Sequence, residues 1–318
     1  MFLIKMEKDT KFEHLEGLIA ATFTPFHEDG QINLEPIPAM VEHLAKCSIR
    51  AIFINGTTGE GPSLTEEERI TLAENFVIEA KKNNIKSIIH VGHESLQSAG
   101  SFAAHANQIG ADCISAVPTS YFKPSSLNTL IDHLSVITSN APKLPFYYYH
   151  IPRMNSVQFD MLSLLETAER EIPNLVGIKY TAAELSTFVE CKQFKSGKYN
   201  MLFGADEMLL AGLSMGADGA VGSTYNFMAP IYNTIIEKYK EGNLKAAQEH
   251  QAKAAELIRI ITGPTGMTGL KVAMRLAGFD CGPHRLPLKT PSPGIVEEMR
   301  NRLEAAGFFN WISPSDDQ

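Results

Sequence analysis

Lys179 is the residue whose setting most invites chemistry. It closes the apolar run Leu175-Val176-Gly177-Ile178, and no carboxylate follows until Glu184. A lysine ending a buried strand loses hydration, which lowers its pKa and frees the amine as a nucleophile. The same sequence also fits a lysine that snorkels past the strand end to solvent. Gly56-Thr57-Thr58-Gly59 places two hydroxyls between glycines. Such a loop can turn tightly and offer successive N–H groups and hydroxyls to a carboxylate or phosphate, although an ordinary turn reads the same way. In Tyr147-Tyr148-Tyr149 the first and third side chains share one strand face. A phenol beside a nitrogen centre can move protons; tyrosines also serve as strand filler. By that parity His150 points the other way and reads as a satisfied structural histidine. Asp206-Glu207 can accept hydrogen bonds from sugar hydroxyls or simply open a helix, where the dipole favours acids.

Other chemistries lack their signatures. There is no GxSxG, and no GK[ST] follows the glycine-rich loop. The ten histidines show no HxH or HExxH, so no metal site is expected. Asp206 and Glu207 are adjacent, not a separated pair that could flank a glycosidic bond.

The elements that must position these groups alternate along the chain. Near-continuous apolar and β-branched runs at Gly17–Thr24, Ala51–Asn55, Ser87–Val91, Cys113–Val117, Pro145–His150, Leu175–Lys179, Met201–Phe203 and Gly219–Gly222 read as strands covered on both faces. Helical patterns intervene. One opens at Thr65 with Glu68 three residues on, a capping box; others begin near Ser95, Ser125, Gln158, Ala183 and Glu207. Gly-Ala-Asp recurs at 110–112, 204–206 and 216–218, and in the first and third copies the glycine should end a helix in the left-handed conformation. Eight strands, each followed by a helix, predict an α/β fold, a (β/α)8 TIM barrel over residues 1–230 that carries the active site. A doubly wound sheet is disfavoured because no GxGxxG follows the first strand. Residues 231–262, 266–277 and 294–306 keep helical spacing without strands, so 231–318 reads as a C-terminal helical extension packed on the barrel, ending in a frayed SPSDDQ. In a barrel the C-terminal strand ends face the active site, which is where Thr57, Tyr149, Lys179, Asp206 and Ser223 all stand.

Composition sets the remaining bounds. The 318 residues include 36 acids against 28 bases, a net charge of −8, which argues against general nucleic-acid or anionic-membrane binding. One local lysine can still outweigh that weak field for a small anionic substrate. Cys47, Cys113, Cys191 and Cys281 are scattered without CxxC or Cys/His clustering, as in a reducing cytosol. The N-terminal MFLIKMEKDTKFEHLEG lacks a signal h-region and is too acidic for a transit peptide, and no apolar run approaches membrane-spanning length. A cytoplasmic protein is expected.

GTTGE at 56–60, YHIP at 149–152, IKYT at 178–181, FGADE at 203–207, GADGAVGSTYN at 216–226 and HRLPL at 284–288 resemble the dihydrodipicolinate synthase/N-acetylneuraminate lyase superfamily, and most closely its animal-type lyases. The resemblance runs from about Gly17 to Leu288. It implies a class I aldolase on a (β/α)8 barrel, a homotetramer with no metal or organic cofactor, cleaving sialic acid to pyruvate and N-acetylmannosamine. It makes Lys179 the Schiff-base lysine and Tyr149 the proton-transfer tyrosine. Thr57 and Thr58 then hold the keto-acid carboxylate and Thr181 lies near the C4 hydroxyl. Gly204, Asp206, Glu207, Gly222 and Ser223 meet the polyhydroxy tail. The synthases typically carry an arginine five residues after the tyrosine, for a second carboxylate; here that position is Met154, and Arg153 stands one place early. Pro118-Thr119 reverses the usual order, and Tyr121, near the place of a tyrosine that some relatives contribute across a subunit interface, is not assigned to the site because the lyases vary there. Another pyruvate-dependent aldolase or dehydratase, or a non-catalytic keto-acid-binding barrel, stays open from the residues alone.

Overall fold

The structure, a computed structural model, describes residues 12–312. Residues 1–11 of the stretch read for targeting signals, and the tail SPSDDQ, lie outside the described residues. Eight strands form: β1 (Gly17–Ala21), β2 (Ala51–Ile54), β3 (Lys86–His90), β4 (Cys113–Ala116), β5 (Phe146–His150), β6 (Leu175–Tyr180), β7 (Asn200–Phe203) and β8 (Gly219–Gly222). Each pairs in parallel with the next, and β8 pairs with β1, so the sheet closes into the expected barrel. The strand ends differ from the sequence reading by a few residues. β1 stops at Ala21, and the Thr24 hydroxyl instead donates to the Gly59 carbonyl at 2.6 Å; β2 stops because Asn55 turns left-handed at φ 59°.

Both strand faces are buried, which is why the strands read as continuous apolar runs rather than alternating ones. Ile19, Phe53, Ile88, Tyr147, Tyr149, Leu202 and Val221 pack in the barrel interior. Leu18, Ile52, Ile89, Ile114, Tyr148, Ile178 and Phe203 face the surrounding helices. Asn200 closes the floor: its Oδ1 accepts from the Tyr147 hydroxyl at 2.7 Å and the Leu15 amide at 2.9 Å.

The helices are α1 (Ile37–Lys46), α2 (Glu66–Lys82), α3 (Leu96–Gln108), α4 (Leu127–Ser139), α5 (Pro152–Asn155), α6 (Met161–Glu171), α7 (Leu185–Gln193), α8 (Leu209–Ser214), α9 (Tyr225–Lys240), α10 (Leu244–Thr262), α11 (Thr268–Leu276), α12 (Pro293–Ala305) and α13 (Phe308–Ile312). The capping box at Thr65 and Glu68 forms in both directions. Gly110 and Gly216 take φ of +70° and +88° after α3 and α8, as expected. The aspartates beside them add a function not foreseen: Asp112 accepts the Ser87 amide and Asp218 the Met201 amide, each at 2.8 Å, tying each βα unit to the start of a neighbouring strand.

The division at residue 230 falls inside α9, which follows β8 directly and packs on β1 and β8 as the barrel's eighth helix. The 231–262 stretch is two helices, broken where Gly242 turns left-handed at φ +77°. Residues of α10–α13 join the same apolar core as the helices of the barrel.

Candidate active site

A cavity of 740 Å³ opens at the C-terminal ends of the strands. Lys179, Tyr149, Thr57, Thr58, Thr181, Gly204, Asp206, Glu207, Gly222 and Ser223 all line it. Lys179 and Tyr149 are partners in the β5–β6 register and both point inward. The Lys179 side chain is only 4% exposed, and its Nζ lies 3.8 Å from the Tyr149 ring centre and 3.9 Å from that of Phe53. Burial pulls the ammonium from its usual 10.5 down to about 7, against the opposing pull of Asp206. Half of such amines are free near neutrality, whereas about one in three thousand ordinary lysines would be. The snorkelling alternative therefore fails: the amine is inside the barrel.

Burial also raises the Tyr149 phenol to about 12, so it is held protonated. Its hydroxyl is 3.5 Å from Thr57 Oγ1. The Thr57-Thr58 loop is a closed turn. The Glu60 amide bonds the Thr57 carbonyl at 3.1 Å and Gly61 bonds Gly56 at 3.0 Å, while the Thr57 and Thr58 amides have no acceptor among the described residues. Thr58 Oγ1 meets Ser223 Oγ at 2.6 Å, joining the β2 and β8 ends. An anion seated between them would find two free amides and three hydroxyls.

Asp206 is buried, and desolvation raises its pKa to about 6. Its Oδ2 accepts the Thr224 amide at 2.9 Å and hydroxyl at 2.6 Å. A Cβ on Gly222 would overlap the Asp206 carboxylate, and one on Gly204 would overlap Thr181 Oγ1. Neither position has room for a Cβ against these side chains. Thr181 Oγ1 is buried on the cavity wall, where it interacts with the Tyr149 phenol and lowers its pKa against the effect of burial. Glu207, unlike Asp206, is exposed.

Tyr148 and His150 lie on the outer face, in ring contact with each other at 6.3 Å. The expectation for His150 needs one correction. It is not a satisfied histidine, because its Nδ1 has no partner among the described residues; burial instead keeps the ring neutral, with its pKa lowered to about 4.

Several contributors were not visible in the sequence. Phe53 supplies one wall around the amine. Met267 and Leu270, at the start of α11, line the cavity although they belong to the C-terminal helices. Glu60 is fully buried against Lys271 Nζ at 2.8 Å and His284 Nδ1 at 2.9 Å. These contacts hold its carboxyl below the usual range even though burial alone would raise it. The GTTGE and HRLPL motifs thus touch across 224 positions of sequence, and only their joint presence hinted at it. Among the described residues, no group of three or more His, Cys, Asp or Glu is placed to hold a metal ion.

Residues 14–306 match the model of the dihydrodipicolinate synthetase family. The chain belongs to that family. Within the family it is similar to N-acetylneuraminate lyases and, at lower identity, to a dihydrodipicolinate synthase. It is 43% identical to N-acetylneuraminate lyase A of Xenopus laevis over 280 residues, covering 87% of this chain and 91% of the relative. It is 37% identical to the human N-acetylneuraminate lyase over 306 residues, covering 95% and 96%. The solved structure of Proteus mirabilis N-acetylneuraminate lyase superposes with a TM-score of 0.90 at 35% identity, covering 93% of this chain and all of that one. The ten residues named above line the cavity at the open end of this chain's barrel.

Proposed function

We propose that this protein is a class I aldolase that cleaves N-acetylneuraminate reversibly to pyruvate and N-acetylmannosamine. The observation that carries the reading is a buried lysine, at about 7, facing a tyrosine inside a barrel of this family. The lyase relatives supply the substrate.

In this reading Lys179 Nζ attacks the C2 ketone of the open-chain sugar acid, and water leaves to give a protonated imine. The substrate carboxylate is held by the free amides and hydroxyls of Thr57 and Thr58. The C4 hydroxyl gives its proton to the Tyr149 oxygen as the C3–C4 bond breaks, and its electrons flow to the imine. Because Tyr149 is protonated at neutral pH, it relays: it passes its own proton to the substrate carboxylate as it accepts another. The aldehyde leaves as N-acetylmannosamine. The proton left on the substrate carboxylate returns through Tyr149 to C3 of the enamine, and water hydrolyses the resulting imine to pyruvate and free Lys179. In this reading Thr181, on the cavity wall beside Tyr149, meets the C4 oxygen. Asp206, Glu207, Gly204, Gly222 and Ser223 take the hydroxylated tail. This chemistry on Lys179 asks for no metal or organic cofactor.

Met154 offers no cation at the position where the synthases carry their arginine, and although Arg153 beside it lines the cavity, the cavity also presents the Asp206 and Glu207 carboxylates, which suit hydroxyls rather than a second carboxylate. The sugar's hydroxyls instead match the Asp206 carboxylate. No helix among the described residues is long and apolar enough to cross a membrane. Four buried, unpaired cysteines fit a cytoplasmic setting. The net charge of −8 fits a small-molecule partner rather than nucleic acid. A homotetramer would cover exposed apolar surface such as Tyr121 and Phe122, each 81% accessible. The functional test is pyruvate release from N-acetylneuraminate against a panel of other 2-keto-3-deoxy acids and pyruvate-plus-aspartate-semialdehyde condensation. Cleavage of N-acetylneuraminate is expected; condensation with the semialdehyde alone would place the protein in the synthase branch.

A further inference from the structure

The chain beyond the barrel braces the loops around the cavity at two separate places. At one end, Glu60 closes the turn that carries Thr57 and Thr58 and holds a left-handed conformation, φ 55°, unfavourable for a residue with a Cβ. Its carboxylate is fully buried. Oε1 accepts from Lys271 Nζ at 2.8 Å and from His284 Nδ1 at 2.9 Å, and Oε2 accepts the Arg285 amide at 3.1 Å. Lys271 is fixed in turn by donating to the Pro283 carbonyl at 2.9 Å. At the other end, Gln251 of α10 straddles the turn that carries Asp206 and Glu207. Its Nε2 donates to the Asp206 carbonyl at 3.2 Å, and its Oε1 accepts the Leu210 amide at 2.9 Å. None of Glu60, Lys271, His284 or Gln251 lines the cavity.

We propose that the C-terminal segment positions the two ends of the site independently: Lys271 of α11 and His284 of the connection that follows it, through Glu60, set the keto-acid end at Thr57-Thr58, and Gln251 of α10 sets the sugar end at Asp206-Glu207. The proposal rests on the aldolase reading and deepens it, because it assigns each half of the substrate to a different anchor. A buried charge with its partner removed is costly, whereas removing both partners together is often tolerated. The keto-acid anchor is therefore tested by the double variant Glu60→Gln/Lys271→Met, with Lys271→Arg, which keeps the charge but shifts the donor, as the second variant. The sugar anchor is tested by Gln251→Leu.

Two constants are measured on each folded variant: the pyruvate concentration for half-maximal borohydride trapping, and the KM for N-acetylmannosamine in the synthetic direction at saturating pyruvate. The keto-acid variants should raise the pyruvate constant, by about tenfold in the double variant and less in Lys271→Arg, and leave the N-acetylmannosamine KM within about twofold. Gln251→Leu should do the reverse, with trapping unchanged. A residue that merely stabilises the fold would move both constants together. Joint movement, or no movement in either, overturns the proposal while wild-type trapping and synthesis leave the aldolase reading intact. A wild-type protein that neither traps pyruvate nor makes sialic acid overturns the aldolase reading, and the proposal with it.

Discussion

Replacing Lys179 by Met should make the protein more stable at neutral pH while removing the reactive amine. Lysine ordinarily keeps its proton up to 10.5, but here burial strips it at about 7. Between those values the unfolded chain binds a proton that the folded chain does not. Stability therefore rises with pH across that window, and the full cost of the lysine is felt below pH 7. Integrated over the window, the cost is about 4 kcal/mol at pH 7. Methionine keeps the unbranched stem against Phe53 and Tyr149 and carries no charge to desolvate. Urea unfolding of both proteins at about pH 6, 8 and 10 reads the difference, with an expected gain of about 2–4 kcal/mol at the lowest pH that shrinks toward the highest. A variant no more stable than wild type at low pH, or a difference that ignores pH, would refute the claim that burial keeps this amine neutral.

Tyr149→Phe keeps the ring and its packing against Lys179, so it should fold normally and lose about 10²–10⁴-fold in turnover; near-normal turnover would assign the proton to another group. Gly222→Ala forces a Cβ into the Asp206 carboxylate and should cost about 1–3 kcal/mol in thermal unfolding, with weaker substrate cleavage. Asp206→Ala should weaken cleavage of N-acetylneuraminate while pyruvate is still trapped; if both are lost together, Asp206 acts only through its hydrogen bonds to the Thr224 amide and hydroxyl.

Much of the site was legible because a closed parallel barrel converts sequence position into spatial position. Each strand end must face the cavity, so Thr57, Tyr149, Lys179, Asp206 and Ser223 could be placed together from the strand order alone. The two-residue period of a strand separates Tyr149 from His150, and the structure keeps that separation. What escaped is non-local or without a local signal. Phe53 is one apolar residue among many in β2, and nothing in its neighbourhood says that its ring will flank the amine. The buried Glu60 looks like the polar end of a turn until Lys271 and His284 arrive from the far end of the chain. The boundary at residue 230 misplaced α9, because the last barrel helix and the helices beyond it share one amphipathic style. The unexpected α5 is a single turn opened by Pro152, too short for periodicity to reveal.

The central claim is that a neutral Lys179 forms an imine with a keto acid. The direct measurement is borohydride reduction in the presence of pyruvate, followed by mass mapping of the modified peptide in the wild type and in Lys179→Ala. The account predicts a single stable adduct on the peptide containing Lys179, loss of both adduct and turnover in the variant, and a trapping rate that rises with pH through about 7 and then levels off. An adduct on another lysine, or trapping that survives in Lys179→Ala, would contradict it.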